Sequence, residues 1–294
     1  MSQTERVRVV GALLSAQLFF GLHYLAGKIV MREIPAPAWA AMRAVGAAAV
    51  MLSLVALLRL PLPRRPRDWA ACGFCAVFGV VLNQICFIEG LARTSATHSA
   101  LINATIPVSA LMFAIAARRE QFSSYKGWAL GFALGGVLLV IAPWRSGLGQ
   151  ASLIGDLLTL VNACSYAFFL VASKRLLASL DPFAATAATL VLGAIGVFAY
   201  GVGALIQVEP ATISESAWAW GVFIVLFPTV AGYFLNNWAL ARIEPSKVAI
   251  FCYVQPVFVA LIGWSLLGER VGLNALGGAV LIFVGVWLSF RYRS

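Results

Sequence analysis

Charge is what this chain has least of. Only 11% of its 294 residues are Asp, Glu, Lys or Arg, against about 25% in a soluble domain. So few charged groups cannot build a water-facing surface, and a soluble globular fold is excluded. Histidine is nearly absent: His23 and His98 stand alone, at no metal-ligand spacing. The acids are Asp68, Asp156, Asp181 and eight Glu, scattered one or two per polar joint. Metal or covalent chemistry needs clustered carboxylates, or a nucleophile beside a base. Neither pattern is present, which argues against an enzyme and against a cofactor or metal. No G-x-x-x-x-G-K-[ST] phosphate loop occurs either, so any work is driven by a gradient and not by ATP held that way. The five cysteines (Cys72, Cys75, Cys86, Cys164, Cys252) all fall in apolar runs, where Cys acts as a small apolar residue. "CGFC" at 72–75 has no second pair and no nearby His. The net charge of +10 sits between apolar runs, as orientation signals do, so nucleic acid is not an expected partner.

What is abundant is apolar length. The chain is 62% hydrophobic with mean hydropathy +0.92. Runs of roughly 20 apolar residues match the thickness of a bilayer. Lipid satisfies no backbone polar group, so such runs cross as helices. The fold class is an all-α polytopic membrane protein with lipid around it. Ten spans are expected, at about 9–30, 37–58, 68–91, 96–117, 126–144, 153–176, 182–206, 216–240, 246–267 and 273–290. Breakers such as "EIPAP", "RLPLPRRPRD" and "VEP" divide them. The first run lacks a small-residue cleavage site and reads as a retained helix. Lys and Arg mark the cytoplasmic side. With the N-terminus inside, fifteen of the 21 basic residues fall in cytoplasmic segments, five outside, and Arg43 within a span. Both termini are therefore expected in the cytoplasm.

The chain repeats itself. At an offset of 149, Leu91, Ala92, Arg93, Ala100, Pro107, Val108 and Glu120 recur as Leu240, Ala241, Arg242, Ala249, Pro256, Val257 and Glu269. Lys28 aligns with Lys174 at the end of the first span of each half. Residues 1–148 and 149–294 thus read as two five-helix units. Five is odd, so the second copy enters the membrane from the opposite side. Inverted repeats are the architecture of alternating-access transporters, with substrate near the midplane between the halves.

Three stretches carry a family likeness: "FFGLHYLAGKIVMREIPAPAWAAMRAVGAAAVML", "GLARTSATHSALINATIPVSALMFAIAARRE" and "ALARIEPSKVAIFCYVQPVFVALIGWSLLGERVGLNALGGAVLIFVGVWL". They resemble the repeated unit of the drug/metabolite transporter superfamily, EamA type, over nearly the whole chain. The most specific pieces are the small, hydroxylated starts of spans four and nine, Pro107 and Pro256, and "LLGE" at 266–269. The first copy departs, with "ARRE" at 117–120. The resemblance implies a ten-helix exporter of small metabolites, often amino acids, in the bacterial inner membrane.

Polar residues at membrane depth are costly and usually functional or paired. They fall in spans one, three, four, six, eight and nine, which therefore face a wet centre. Gln17, Tyr24, Asn83, Phe87, Asn103, Asn162, Tyr166, Tyr233, Asn236, Tyr253 and Gln255 are the expected lining of a central cavity. Each Asn or Gln has an alternative role as an interhelical hydrogen bond. His23, Glu89, His98 and Lys247 are candidate rim or proton-coupling groups; His98 and Lys247 occupy equivalent repeat positions. His23, Glu89 and His98 share the outer half and suggest one titratable cluster. Arg43 lies about two turns from the external end, where snorkelling is open to it, and a structural pairing role is favoured over substrate binding. Pro107 and Pro256 are candidate hinges. Small-residue faces in "GWALGFALGG" and "GGAVLIFVG" offer either a homodimer contact or packing within one chain. The first expectation is a secondary transporter exporting a small metabolite, amino acids foremost, including aromatic or other apolar ones. A membrane-embedded lipid transferase and a passive channel are the alternatives.

Overall fold

The computed structural model describes residues 2–59, 62–94, 96–141, 153–258, 261 and 273–291. Among these there is no strand. The helices are α1 (Gln3–Val30), α2 (Ala36–Leu57), α3 (Pro66–Arg93), α4 (Ala96–Asn103), α5 (Ile106–Ala116), α6 (Ser124–Ile141), α7 (Leu153–Leu176), α8 (Pro182–Leu205), α9 (Glu215–Leu240), α10 (Pro245–Ala249) and α11 (Leu273–Arg291). Six of them, α1, α2, α3, α7, α8 and α9, are long and apolar enough to cross a membrane.

Local chemistry sets the ends. Ser2 caps α1 by accepting from the Glu5 amide. Asp181 caps α8 through the amides of Phe183 and Ala184, with Pro182 at the first position. Ser214 caps α9 through the Ala217 amide. Each side chain satisfies amides that a helix start leaves unpaired.

The expected fourth span is not one helix. It breaks at Ala104–Thr105 into α4 and α5. Pro107 has no amide to give the Asn103 carbonyl, and its ring crowds that carbonyl. The break is filled by short-range bonds: Ala104 N to Leu101 O, Thr105 N to Ile102 O, and the Thr105 hydroxyl to Ile102 O at 2.7 Å. The ninth span behaves alike. After α10 it tightens into a 3₁₀ segment, Ile250–Val254, just ahead of Pro256.

Two further irregularities repeat. α3 contains a π-helical segment, Val77–Leu82, and α9 contains another, Val225–Ala231. Their ends, Leu82 and Ala231, are 149 apart, the offset of the sequence repeat. Pro228 removes an amide inside the second. In the first, the loosened carbonyls are taken by other helices: the Ser165 hydroxyl donates to Phe78 O and the Tyr233 hydroxyl to Gly79 O, both at 2.8 Å.

The helices pair in a matched way: α2 along α8, α6 along α11, α3 on α7, and α1 on α9. Lys28, at the end of α1, donates to Thr94 O at 2.8 Å. Lys174, at the end of α7, donates to Leu240 O and Ile243 O at 2.6 and 2.9 Å. Thr94 and Ile243 are also 149 apart, so the two lysines tie down the same joint in each copy.

The α6–α11 crossing uses the small residues. A Cβ on Gly136 would lie 2.5 Å from Gly278 O, and one on Gly285 would lie 2.6 Å from Ala129 O. Gly136, Gly278 and Gly285 thus serve packing within the chain, while a Cβ on Gly131, Gly135 or Gly277 would meet nothing within 4 Å. Of the tryptophans near span ends, Trp39 is buried in an apolar cluster with Ala217 and Val230, while Trp218 and Trp287 are exposed. Trp144 lies outside the described residues.

Candidate substrate cavity

One cavity opens between the two copies, with about 570 Å³ of atom-free space counted out to its mouth. The first copy supplies Phe20, His23, Tyr24, Arg43, Asn83, Phe87, Asn103 and Ile106. The second supplies Asn162, Tyr166, Pro228, Thr229, Tyr233, Cys252 and Gln255. Both proline breaks and one π segment therefore deliver side chains to it. Irregular backbone at membrane depth is tolerated where it lines a cavity or is buried in protein.

A chain of hydrogen bonds passes three times between the copies. It runs Tyr24–Asn103 (2.9 Å), Asn103–Asn162 (2.8 Å), Asn162–Asn83 (2.7 Å) and Asn83–Tyr233 (2.9 Å). These amides are at once lining and interhelical glue. The aromatic wall is continuous: Phe87 stands 5.0 Å from the His23 ring and 5.4 Å from Tyr24. Tyr166 stacks on Phe169, and Phe20 meets Tyr233 edge-on.

The structure brings together Tyr24, Asn83, Phe87, Asn103, Asn162, Tyr166, Tyr233 and Gln255, as well as His23. Three expected lining residues lie elsewhere. Gln17 is fully buried behind the wall, where it accepts from Gln255 Nε2 at 2.6 Å. Tyr253 is fully buried with no partner for its hydroxyl, and Asn236 is buried with its amide oxygen unpartnered. Trp238 is stacked under the Arg242 guanidinium at 3.8 Å.

The rim groups separate. His23 faces Arg43, with Nε2 2.8 Å from Nη1. The Glu89 carboxylate is taken by Arg93 and by the Tyr200 hydroxyl. His23 and Glu89 thus belong to two different constellations. Lys247 pairs with Glu244 at 3.4 Å. The side chain of His98 lies outside the described residues. Pro107 and Pro256 are both buried, each next to a helix irregularity.

Arg43, Phe20, Ile106, Pro228, Thr229 and Cys252 also line the cavity. Arg43 is 3% exposed, so it does not snorkel. Its pairing is with a histidine and not with an acid. The signal for it in the sequence is a lone charge in an Ala-rich span, for which a structural pairing role was favoured over substrate binding.

A second polar cluster joins the copies away from the cavity. Glu120, after α5, accepts from Lys126 Nζ at 2.7 Å, from Ser246 N at 3.1 Å and from the Ser246 hydroxyl at 2.5 Å. Lys126 also reaches Glu244 at 3.4 Å. Cys72 and Cys75 are buried free thiols in an apolar cluster.

Comparison with known proteins agrees with this architecture. "Uncharacterized transporter YyaM" of Bacillus subtilis (strain 168) is 26% identical over 280 residues, covering 93% of this chain and 90% of that protein. An "Uncharacterized transporter" of Archaeoglobus fulgidus is 24% identical over 286 residues, covering 94% and 96%. A solved structure titled "Crystal structure of protein" superposes with TM-score 0.79 at 17% identity, over 99% of this chain and 98% of the other; that likeness concerns the fold. The EamA-like transporter family matches twice, at residues 8–142 and again at 153–291. With both halves covered, and with relatives that bear transporter names, this multi-pass membrane chain belongs to the EamA-like transporter family.

Proposed function

We propose that the chain is a secondary transporter that exports a small metabolite, an amino acid or a related compound, across the bacterial inner membrane. Ten spans in two inverted five-helix units, with both termini in the cytoplasm, carry it out by alternating access. The observation that carries this reading is the cavity, which takes its walls from both copies. A site at the junction of two repeats is reached from either side when one repeat rocks against the other. The breaks ahead of Pro107 and Pro256 give each copy a point where regular helical hydrogen bonds are already absent, so helix direction changes there at little further cost, and they act as hinges. Aromatic rings with amides between them suit a solute that has an apolar body and a polar head.

The test is a substrate panel. Cells overexpressing the chain are challenged with single amino acids, dipeptides and toxic analogues, and efflux and resistance are measured. No efflux of any amino acid rejects that substrate class. Asn83→Leu and Gln255→Leu variants are expected to lose export; normal export by either removes that residue from the site.

A further inference from the structure

Arg43 is a buried cation that meets no counter-charge among the described residues. It is 3% exposed and it lines the cavity. Among the described residues no carboxylate pairs with it. Glu89 is held by Arg93, and Glu120 and Glu244 by Lys126. None of the residues lining the cavity is acidic.

Among the described residues its one hydrogen-bonding neighbour is His23, at 2.8 Å. A guanidinium has donors only and does not lose its proton at accessible pH. His23 therefore meets it as an acceptor, with Nε2 unprotonated, and contributes no negative charge. The Arg43 Nε is buried and has no partner among the described residues. An unpaired charge at membrane depth is costly, and such residues mark substrate paths or find counter-ions. The fork geometry of arginine matches a planar oxyanion with two parallel hydrogen bonds.

Resting on the transporter reading above, we infer that Arg43 is the head-group site for an oxyanion on the transported solute, the α-carboxylate where that solute is an amino acid. His23 positions the guanidinium. Phe87, Tyr24 and Phe20 receive the apolar remainder. The lining gives an ammonium amide and hydroxyl oxygens and aromatic rings but no carboxylate, so positive charge is tolerated on the solute but not sought.

The experiment uses the full chain in lipid nanodiscs for binding and in proteoliposomes for flux. Five probes share one ring: 3-phenylpropanoate, phenylalanine, phenyl phosphate, 3-phenylpropanamide and 3-phenylpropylamine. Binding is read as a rise in unfolding midpoint with concentration. The carboxylates are expected to bind at least about tenfold more tightly than the amide and the amine, tenfold being about 1.4 kcal/mol. Phenyl phosphate tells a carboxylate site from a phosphate site; tighter binding by either anion than by the amide supports the inference. Arg43→Gln is expected to erase the difference, and Arg43→Lys to keep part of it. The wild-type comparison needs no variant, so a misfolded Arg43→Gln leaves the test intact. Amide or amine binding equal to the carboxylates in wild type overturns the anion site, and so does no binding by either anion. Flux of amines or amides alone rejects this inference and keeps the transporter. Anion binding with no flux of any probe keeps the site and rejects the transporter.

Discussion

Removing the Glu120 carboxylate is the sharpest test of how the two copies are joined. Its side chain is fully buried, and Lys126 beside it is 10% exposed. Four interactions meet there: Lys126 at 2.7 Å, the Ser246 amide and hydroxyl, and the second Lys126 contact to Glu244 at 3.4 Å. Taking away one partner of a buried ion pair costs about 3–5 kcal/mol, because the other charge is left uncompensated. Lys126 keeps Glu244, so Glu120→Ala belongs at the low end, about 3 kcal/mol. Glu120→Gln keeps an acceptor for Ser246 but loses the charge, and a hydrogen bond to a charged group is worth about 1.5–3 kcal/mol. Ser246 is 126 positions away, in the other copy. A double-mutant cycle of Glu120→Ala with Ser246→Ala should therefore give a coupling of about 0.5–3 kcal/mol. The assay is denaturant-titrated unfolding of purified protein in mixed micelles. Raised salt should change little, since buried pairs are poorly screened. Glu120→Ala within about 0.5 kcal/mol of wild type, the spread of featureless surface changes, would refute the reasoning, as would a coupling near zero.

Three further outcomes follow from the same geometry. Tyr253→Phe removes a buried hydroxyl with no partner and should be neutral or stabilising, whereas Tyr233→Phe loses bonds to Gly79 O and Asn83 and should cost about 1–3 kcal/mol; the reverse order in unfolding midpoints would contradict the placement of both. Gly285→Val puts a Cβ 2.6 Å from Ala129 O and should cost about 1–3 kcal/mol of overpacking, so an unchanged midpoint would mean that α6 and α11 do not pack this closely. Glu33 accepts from the Ser214 amide and hydroxyl, both at 2.7 Å, and these bonds hold its pKa below the usual carboxylate value. The link is then fully present above the usual carboxylate pKa and is lost as pH falls through the lowered one. Amide protection at residues 214–217, taken relative to the intrinsic exchange rate at each pH, should fall in that acid window, and Glu33→Gln should remove this pH dependence.

Legibility in the sequence was uneven, for physical reasons. Spans one, three, four, six, eight and nine carry the mid-depth polarity, and all six send side chains to the cavity. Polarity at depth is expensive, so its distribution among helices is a strong signal. The side of a helix is a weak one. Helices apolar all round have no polar face from which to judge direction, and Gln17, Asn236 and Tyr253 were misplaced for that reason. The breaks beside Pro107 and Pro256 were legible because proline lacks an amide. The π segment at Val77–Leu82 was not, since nothing in "VFGVVL" marks it. Its twin contains Pro228, and aligning the copies sets Gly79 opposite that proline, which is a signal only once the repeat is taken as structural.

The two copies agree at their joints and differ at the cavity. Lys28 and Lys174 hold matching carbonyls, and the π segments match in position. Yet Asn103 stands opposite Cys252 and Ile106 opposite Gln255, and all four line the cavity. Two identical walls would offer an asymmetric solute two equivalent poses; unlike walls select one. Exchanging one pair, Ile106→Gln with Gln255→Ile, tests whether that difference has a use. The exchange strips Gln17 of its 2.6 Å bond, at about 1–3 kcal/mol for a buried amide left unpaired, so a lower unfolding midpoint and a lower rate are expected whatever the role. The deciding readout is the order of preference across a substrate panel, which a uniform loss of stability does not reorder. A changed order assigns selectivity to the unlike pair. An order that stays the same while all rates fall would show that the copies drifted apart here without consequence for what is carried.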